Sequence, residues 1–189
     1  MTRAAGGVGL AAVELAKAAG ARVIAATSSA VKAELARSAG ADETVVYPRG
    51  PFDKEGSKAL AGLFKAACGP DGANVVLDPV GGDYAEAALR AIAWEGRFLV
   101  VGFPAGIPKL PLNLVLLKGC QVVGVAWGAE ARRDPEGQDA DIRQLLDLHA
   151  RGLIRPRISE RYPLARAGEA IARLGSRQAL GKIVVMVDG

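Results

Sequence analysis

Apolar residues recur along this chain in two alternating periods. Short unbroken apolar runs, typical of buried strands, alternate with stretches where apolar positions return every three or four residues, as on a helix face. Val8, Ala12, Leu15 and Ala19 predict a helix over 8–19, with Gly20 suited to a left-handed stop. "ARVIAAT" (21–27) predicts a strand, and Ser28 or Ser29 caps a second helix carrying Val31, Leu35 and Ala39, closed by Gly40. "ETVVY" (43–47) reads as the next strand, ended by Pro48, and "GPFDKEG" (50–56) as a loop. Leu60, Leu63, Phe64 and Ala67 mark a helix, and "ANVVLD" (73–78) a buried strand stopped by Pro79. A helix over 83–93, the strand "GRFLVVGF" (96–103), a helical connector over 111–119 and the strand "CQVVGVAWG" (120–128) follow. A helix face through Ile142, Leu145, Leu146 and His149 comes next. The strand "PRISERYPL" (156–164), a helix around Ala167, Ala170, Ile171 and Leu174, and the strand "GKIVVMV" (181–187) complete the pattern.

This βαβαβ order, with strands that do not alternate apolar and polar, predicts an α/β fold: a doubly wound parallel sheet with helices on both faces. The main domain is expected over 1–155, with 156–189 as a C-terminal segment that belongs to a neighbouring unit. Composition narrows the class rather than the chemistry. Of the 189 residues half are apolar and 23% charged, with a net charge of +4. No run reaches a membrane span and the first residues are no secretion signal, so a cytoplasmic protein without membrane contact is expected. Cys68 and Cys120 form no CxxC pair and are expected reduced and partly buried; with one histidine, His149, no metal site is expected. The arginines at 151, 155, 157, 161 and 166 alternate with Glu160 and Glu169 and lack stacking aromatics, so no nucleic-acid partner is expected.

The candidate chemistry starts in "RAAGGVGLA" (3–11). Ala4-x-Gly6-x-x-Gly9 is a variant of the dinucleotide fingerprint, whose small residues allow a sharp turn, close approach of a pyrophosphate and tight helix packing. The free N–H groups of the helix start would hold the phosphates. The same pattern also suits an ordinary tight turn. Past the next strand, where an NAD site places an acid for the ribose, this chain has Ala26-Thr27-Ser28-Ser29-Ala30-Val31-Lys32. Two hydroxyls and an ammonium suit a 2′-phosphate, hence NADPH rather than NADH; a serine cap and a solvated lysine is the plainer reading. "DPVGG" (78–82) and "VVGF" (100–103) lie at the carboxyl ends of predicted parallel strands, where such sheets bind ligands. No nucleophile–base pair is visible and no catalytic residue is assigned. His149 is expected to pack, and Asp78 to orient its loop.

Taken in order, "AAGGVGLAAVELAKAAGARVIA", "LARSAGADETVVY", "VVLDPVGG", "GRFLVVGF", "VVGVAWG" and "ALGKIVV" resemble the quinone oxidoreductase (zeta-crystallin-like) branch of the medium-chain dehydrogenases/reductases, from Ala4 to the C-terminus. The resemblance implies a Rossmann domain in a zinc-independent, NADPH-dependent reductase of quinones or other α,β-unsaturated carbonyl compounds. It places Gly6, Gly7 and Val8 at the pyrophosphate, Ser28, Ser29 and Lys32 at the 2′-phosphate and Tyr47 at the adenine end. Val80, Gly102 and Phe103 would flank the nicotinamide half, with Trp127 and Lys182 as weaker carry-overs. It also implies a homodimer through the edge strand 120–128.

The chain departs from the family at its start. The GroES-like substrate domain and the first Rossmann strand have no counterpart here, and Arg3 stands where the family has a small residue. The missing strand is central in the order 3-2-1-4-5-6. Its neighbours would then face a gap with unpaired backbone groups, so a marginal or aggregation-prone chain, or one completed by another chain, is expected. Two rival functions stay open: a non-catalytic NADP-binding module or subunit of a split reductase, and a Rossmann-like methyltransferase. The second would want an acid that Ala26 to Ser29 do not offer.

Overall fold

The computed structural model describes residues 1–176 and 179–187. Its first half strings strands and helices in strict alternation: α1 (Gly7–Ala18), β1 (Ile24–Thr27), α2 (Ala30–Ser38), β2 (Glu43–Val46), α3 (Lys54–Cys68), β3 (Ala73–Asp78) and α4 (Asp83–Arg90). β4 (Ile92–Val100), α5 (Leu112–Lys118), β5 (Gln121–Gly124), α6 (Trp127–Arg133) and α7 (Pro135–Ala150) follow. β6 (Ile158–Pro163), a short 3-10 turn, α8 (Ala167–Gly175) and β7 (Lys182–Met186) end the order. All ladders are parallel: β1 pairs with β2, β3 with β4 and β5, and β6 with β7.

The β1–β2 and β3–β4–β5 ladders do not meet directly. Residues 1–4 lie between them, and this one backbone segment bonds to both sides. The Met1 amine donates to the Ile24 carbonyl at 3.0 Å. The Ala26 N–H donates to Met1 O at 2.8 Å, Ala4 N–H to Ala26 O at 3.1 Å, and Thr2 N–H to Leu77 O at 3.3 Å. The gap is therefore one strand wide. Beyond Met1 it remains open as a cavity of about 510 Å³, walled by Ala12 and Ala16 of α1 on one side and Phe64, Ala67, Ala88 and Ala91 on the other. Met1 and Thr2 occupy the upper end of the space between the two ladders, next to the glycine turn.

Two apolar clusters flank this seam. The larger packs α3 and α4 on β3 and β4 through Leu60, Phe64, Leu89, Ile92 and Phe98. The smaller joins Ala4, Val13, Val23, Ala25 and Ala36. Burying a side chain the size of Leu or Phe contributes about 1.5–3 kcal/mol, so these few residues dominate the core.

Several boundaries and faces differ from the sequence expectation. The helix expected after the 50–56 loop starts inside it, because the Asp53 carboxylate accepts from Gly56 N–H at 2.7 Å and caps α3. β4 begins at Ile92 rather than 96; its register to β3 shifts where Glu95 takes φ 56° before Gly96. β5 stops at Gly124, and Trp127 opens a helix instead of ending the strand. In α1 the buried residues are Gly9, Leu10 and Val13, while Val8 is 53% exposed and looks into the cleft described below. Val31 is exposed and α2 buries Ala33, Leu35 and Ala36. Ile142, Leu145, Leu146, Ile171 and Leu174 are all exposed, and of the expected face of α8 Ala170 is buried. His149 is exposed as well; its Nδ1 lies 3.1 Å from the Ile154 carbonyl. Cys120 is buried and Cys68 half-buried, both free.

The C-terminal pair β6–β7 is tied back to the glycine turn. Gly6 and Gly181 form a parallel bridge, and Gly181 N–H donates to Ala5 O at 3.3 Å. This places the start of β7 beside the N-terminus of α1.

Candidate nucleotide site

The site is built from the ends of the parallel strands. Beneath the site, outside its lining, is Asp78, buried at the end of β3. Its carboxylate accepts from the Thr2 hydroxyl at 2.8 Å, from Val80 N–H at 3.0 Å and from Gly81 N–H at 3.2 Å. One side chain thus joins the stretch before the glycine turn to the "DPVGG" loop, which is the orienting role its position suggested. Gly81 and Gly82 take φ 69° and 55°, and a Cβ on Gly81 would lie 2.6 Å from the Gly106 carbonyl. Only glycine fits there, where the loop crosses the segment after β4.

Gly6 caps α1 without a side chain, and its own N–H is occupied by Arg3 O at 3.2 Å. The first-turn N–H groups of α1 have no intrahelical acceptor, so Gly7 and Val8 present the helix's partial positive end. Gly9 is the packing glycine of the turn: a Cβ would fall 2.5 Å from Arg3 O and 2.6 Å from Ala4 Cα. Lys182 lies across this end, since a Cβ on Gly7 would be 3.1 Å from its Cε and 3.4 Å from its Nζ. The lysine carried over from the closing strand therefore sits at the helix N-terminus.

These groups open on a cleft of about 430 Å³ lined by Gly6, Gly7 and Val8, by Thr27, Ser28 and Lys32, by Tyr47, Arg49 and Gly50, by Val80 and Tyr84, and by Arg3. Of the residues singled out in the sequence, the structure brings Gly6, Gly7, Val8, Ser28, Lys32, Tyr47 and Val80 to this one wall, with Lys182 adjoining. Ser29 lies behind it: its Oγ accepts from Lys32 N–H at 3.4 Å and caps α2. Gly102 and Phe103 do not line the cleft; they pack beside the Gly81 loop, with the Phe103 ring edge within 3.3 Å of a Cβ placed there. Trp127 is exposed and donates from Nε1 to Gln138 Oε1 at 2.9 Å.

Electrostatics follow from burial and from neighbours. Tyr47 is 5% exposed, edge-on to Phe64 at 6.1 Å and against Tyr84 at 5.3 Å, and burial pushes its phenol up to about 12. It stays a neutral hydrogen-bonding group. The Lys32 ammonium is pushed below its usual value, first by burial and then by Arg49 and Arg3. Sequence reasoning had missed both arginines. Arg49 follows β2, outside the window in which the fingerprint places its ribose group, and Arg3 reads as a misfit in the turn. The signal that could have found Arg49 is its charge two residues past the predicted strand 43–47, while Arg3 could have been found only by its charge beside the glycine turn.

A dinucleotide fits this donor set: N–H groups and a lysine at one end, hydroxyls and cations at the other, an apolar wall between. A metal does not, for no group of three His, Cys, Asp or Glu side chains gathers among the described residues. No helix among them is long and apolar enough to cross a membrane.

Comparison with known proteins agrees with this geometry. A family model described as zinc-binding dehydrogenase matches residues 7–151. Quinone oxidoreductase-like protein 2 of Bos taurus is 36% identical over 187 residues, 98% of this chain and 51% of its own length. The quinone oxidoreductase of Pseudomonas aeruginosa is 35% identical over 185 residues, 97% of this chain and 54% of its own length. The chain thus spans about half the length of the curated relatives it matches. Among solved structures, Escherichia coli quinone oxidoreductase complexed with NADPH superposes with a TM-score of 0.82 at 29% identity, over 98% of this chain and 56% of that one. A mycobacterial protein solved with NADPH gives 0.85 at 28% identity, over 98% and 55%.

Proposed function

Because the chain belongs to the zinc-binding dehydrogenase family, as the cofactor-domain part of a quinone oxidoreductase-like protein, we propose that it binds NADPH in the strand-end cleft and serves hydride transfer to a quinone or other α,β-unsaturated carbonyl compound. The observation that carries this reading is the cleft itself. Among the described residues three cations, Arg3, Lys32 and Arg49, line it together with the glycine turn, and no carboxylate does. Such a wall attracts a ligand with phosphate at both ends of its adenosine and repels none of it.

NADPH, when bound, supplies the hydride; the chain's own residues hold and orient it. Gly7 and Val8 offer first-turn N–H groups to the pyrophosphate, and Lys182 adds a charge there. Ser28 and Lys32 face the 2′-phosphate, while Ser29 keeps α2 capped so that Lys32 is held in place. Tyr47 gives the adenine an apolar wall. Val80 and the Gly81 loop, backed by Gly102 and Phe103, bound the nicotinamide half, and Asp78 holds that loop in register. No residue is assigned proton transfer. Zinc independence and a cytoplasmic setting, in keeping with two free thiols, belong to the same proposal. So does a homodimer through β5, whose residues are all exposed.

The test is a fluorescence titration with NADPH and NADH in parallel. Saturable binding that favours NADPH supports the reading. Binding without turnover of a quinone would favour the binding-module alternative. No binding of either nucleotide by folded protein refutes it.

A further inference from the structure

We propose that Arg49 and Arg3 complete, with Lys32, a three-cation seat for a phosphate monoester, and that Arg49 is the residue that sets the preference for a nucleotide carrying a phosphate on the 2′ position. The proposal rests on the nucleotide reading above and names which side chains discriminate within it.

The argument begins with how Arg49 is held. β2 ends one residue before Tyr47, whose N–H donates to Thr27 O at 2.9 Å and fixes that end to β1. On the other side of Arg49, Gly50 N–H donates to the Tyr84 hydroxyl at 2.9 Å. The Arg49 backbone is thus clamped by one hydrogen bond two residues before it and another one residue after, and it forms part of the cleft wall. Arg3 is held as firmly. Its carbonyl accepts from Gly6 N–H at 3.2 Å, and its neighbours Thr2 and Ala4 bond to Leu77 and Ala26 at 3.3 and 3.1 Å. It takes φ 51° in the turn.

Three cations facing one concavity repel each other, and the depressed Lys32 ammonium registers that repulsion in addition to its burial. A dianionic phosphate relieves it. A single lysine would supply one point charge, whereas a guanidinium adds a planar fork of N–H donors that matches phosphate oxygens in pairs. Lys182 lies over Gly7 at the α1 N-terminus, whereas Lys32 and Arg49 come from the stretches after β1 and β2, outside the glycine fingerprint, and Arg3 stands just before it.

The experiment uses the full chain with 2′,5′-ADP and 5′-ADP as probes, titrated by calorimetry against wild type, Arg49→Gln, Arg49→Lys and Arg3→Gln. Thermal melts verify that each variant is folded. Wild type is expected to prefer 2′,5′-ADP. Arg49→Gln should lose about tenfold in affinity for that probe with 5′-ADP unchanged, Arg3→Gln somewhat less, and Arg49→Lys should recover part of the loss. Folded variants that bind both probes like wild type overturn the proposal, as does an equal loss for both probes. Failure of wild type to bind either probe would instead refute the nucleotide reading on which it stands.

Discussion

Asp78 concentrates more of this site in one side chain than any other residue. It accepts from Thr2, Val80 and Gly81 while buried. Asp78→Ala would leave three buried donors without an acceptor, and we expect a loss of about 3 kcal/mol or more in urea unfolding, with nucleotide binding lost at the same time. Gly9 offers a purely steric counterpart. A methyl there meets backbone at 2.5–2.7 Å, so Gly9→Ala should cost about 1–3 kcal/mol and lower the melting temperature. Lys32 makes pH a probe. Its lowered pKa means that the ammonium deprotonates earlier in the alkaline range than an ordinary lysine. Affinity for NADPH should therefore be fullest at neutral pH and fall as pH rises through that lowered value, while affinity for NADH, which lacks the 2′-phosphate, stays level. Titrations across the alkaline range decide it. That Lys32 and Tyr47 line the cleft was legible in the sequence, for Lys32 from its place just past the strand after the fingerprint and for Tyr47 from the family resemblance. Arg49 was not, because its place in the cleft depends on the hydrogen bond that the next residue, Gly50, donates to the Tyr84 hydroxyl, thirty-four positions further along.

Helices and strands were readable where local signals agree. α1 and α2 end at Ala18 and Ser38, and the glycines that follow their caps, Gly20 and Gly40, take positive φ as their positions suggested. β3 matches its expected span because Pro79 and the glycines after it stop the run. The faces were harder to read. An alanine-rich helix has weak amphipathicity, and α1 divides its small residues between a core, a cleft and a seam. Late elements deviated most: the expected strand through 128 loses its end to α6, and Ile142, Leu145, Leu146, Ile171 and Leu174 of α7 and α8 are exposed. Val122, Val123 and Val125 are each about 40% exposed on or beside β5. If β5 is the dimer edge, Val123→Lys should shift the sedimentation profile toward monomer and leave NADPH affinity unchanged. A profile identical to wild type would remove β5 from that role.

At the scale of the molecule the seam between β1 and β3 is the defining feature. Met1 to Ala4 complete the ladder at its upper end, and the remainder is an open cavity between two strand edges. Thr2 bonds to Leu77, and alternate residues of a strand face the same side, so Val75 and Leu77 of β3 turn backbone groups to the seam. Ile24 does so on β1. Hydrogen exchange should find the Ile24 and Val75 amides fast, and those of Ala25 and Val76, which face their paired neighbours, slow. Uniform protection across both would mean that the seam is closed in solution. The sequence by itself determined the order of elements, the parallel sense of the sheet and the place of the glycine turn. Each of these depends on local periodicity, turn chemistry and strand burial. The tertiary structure alone decided which side chains share the cleft, how the seam is bridged and why three cations face one another. These contacts join residues far apart in the chain, and no local period records them.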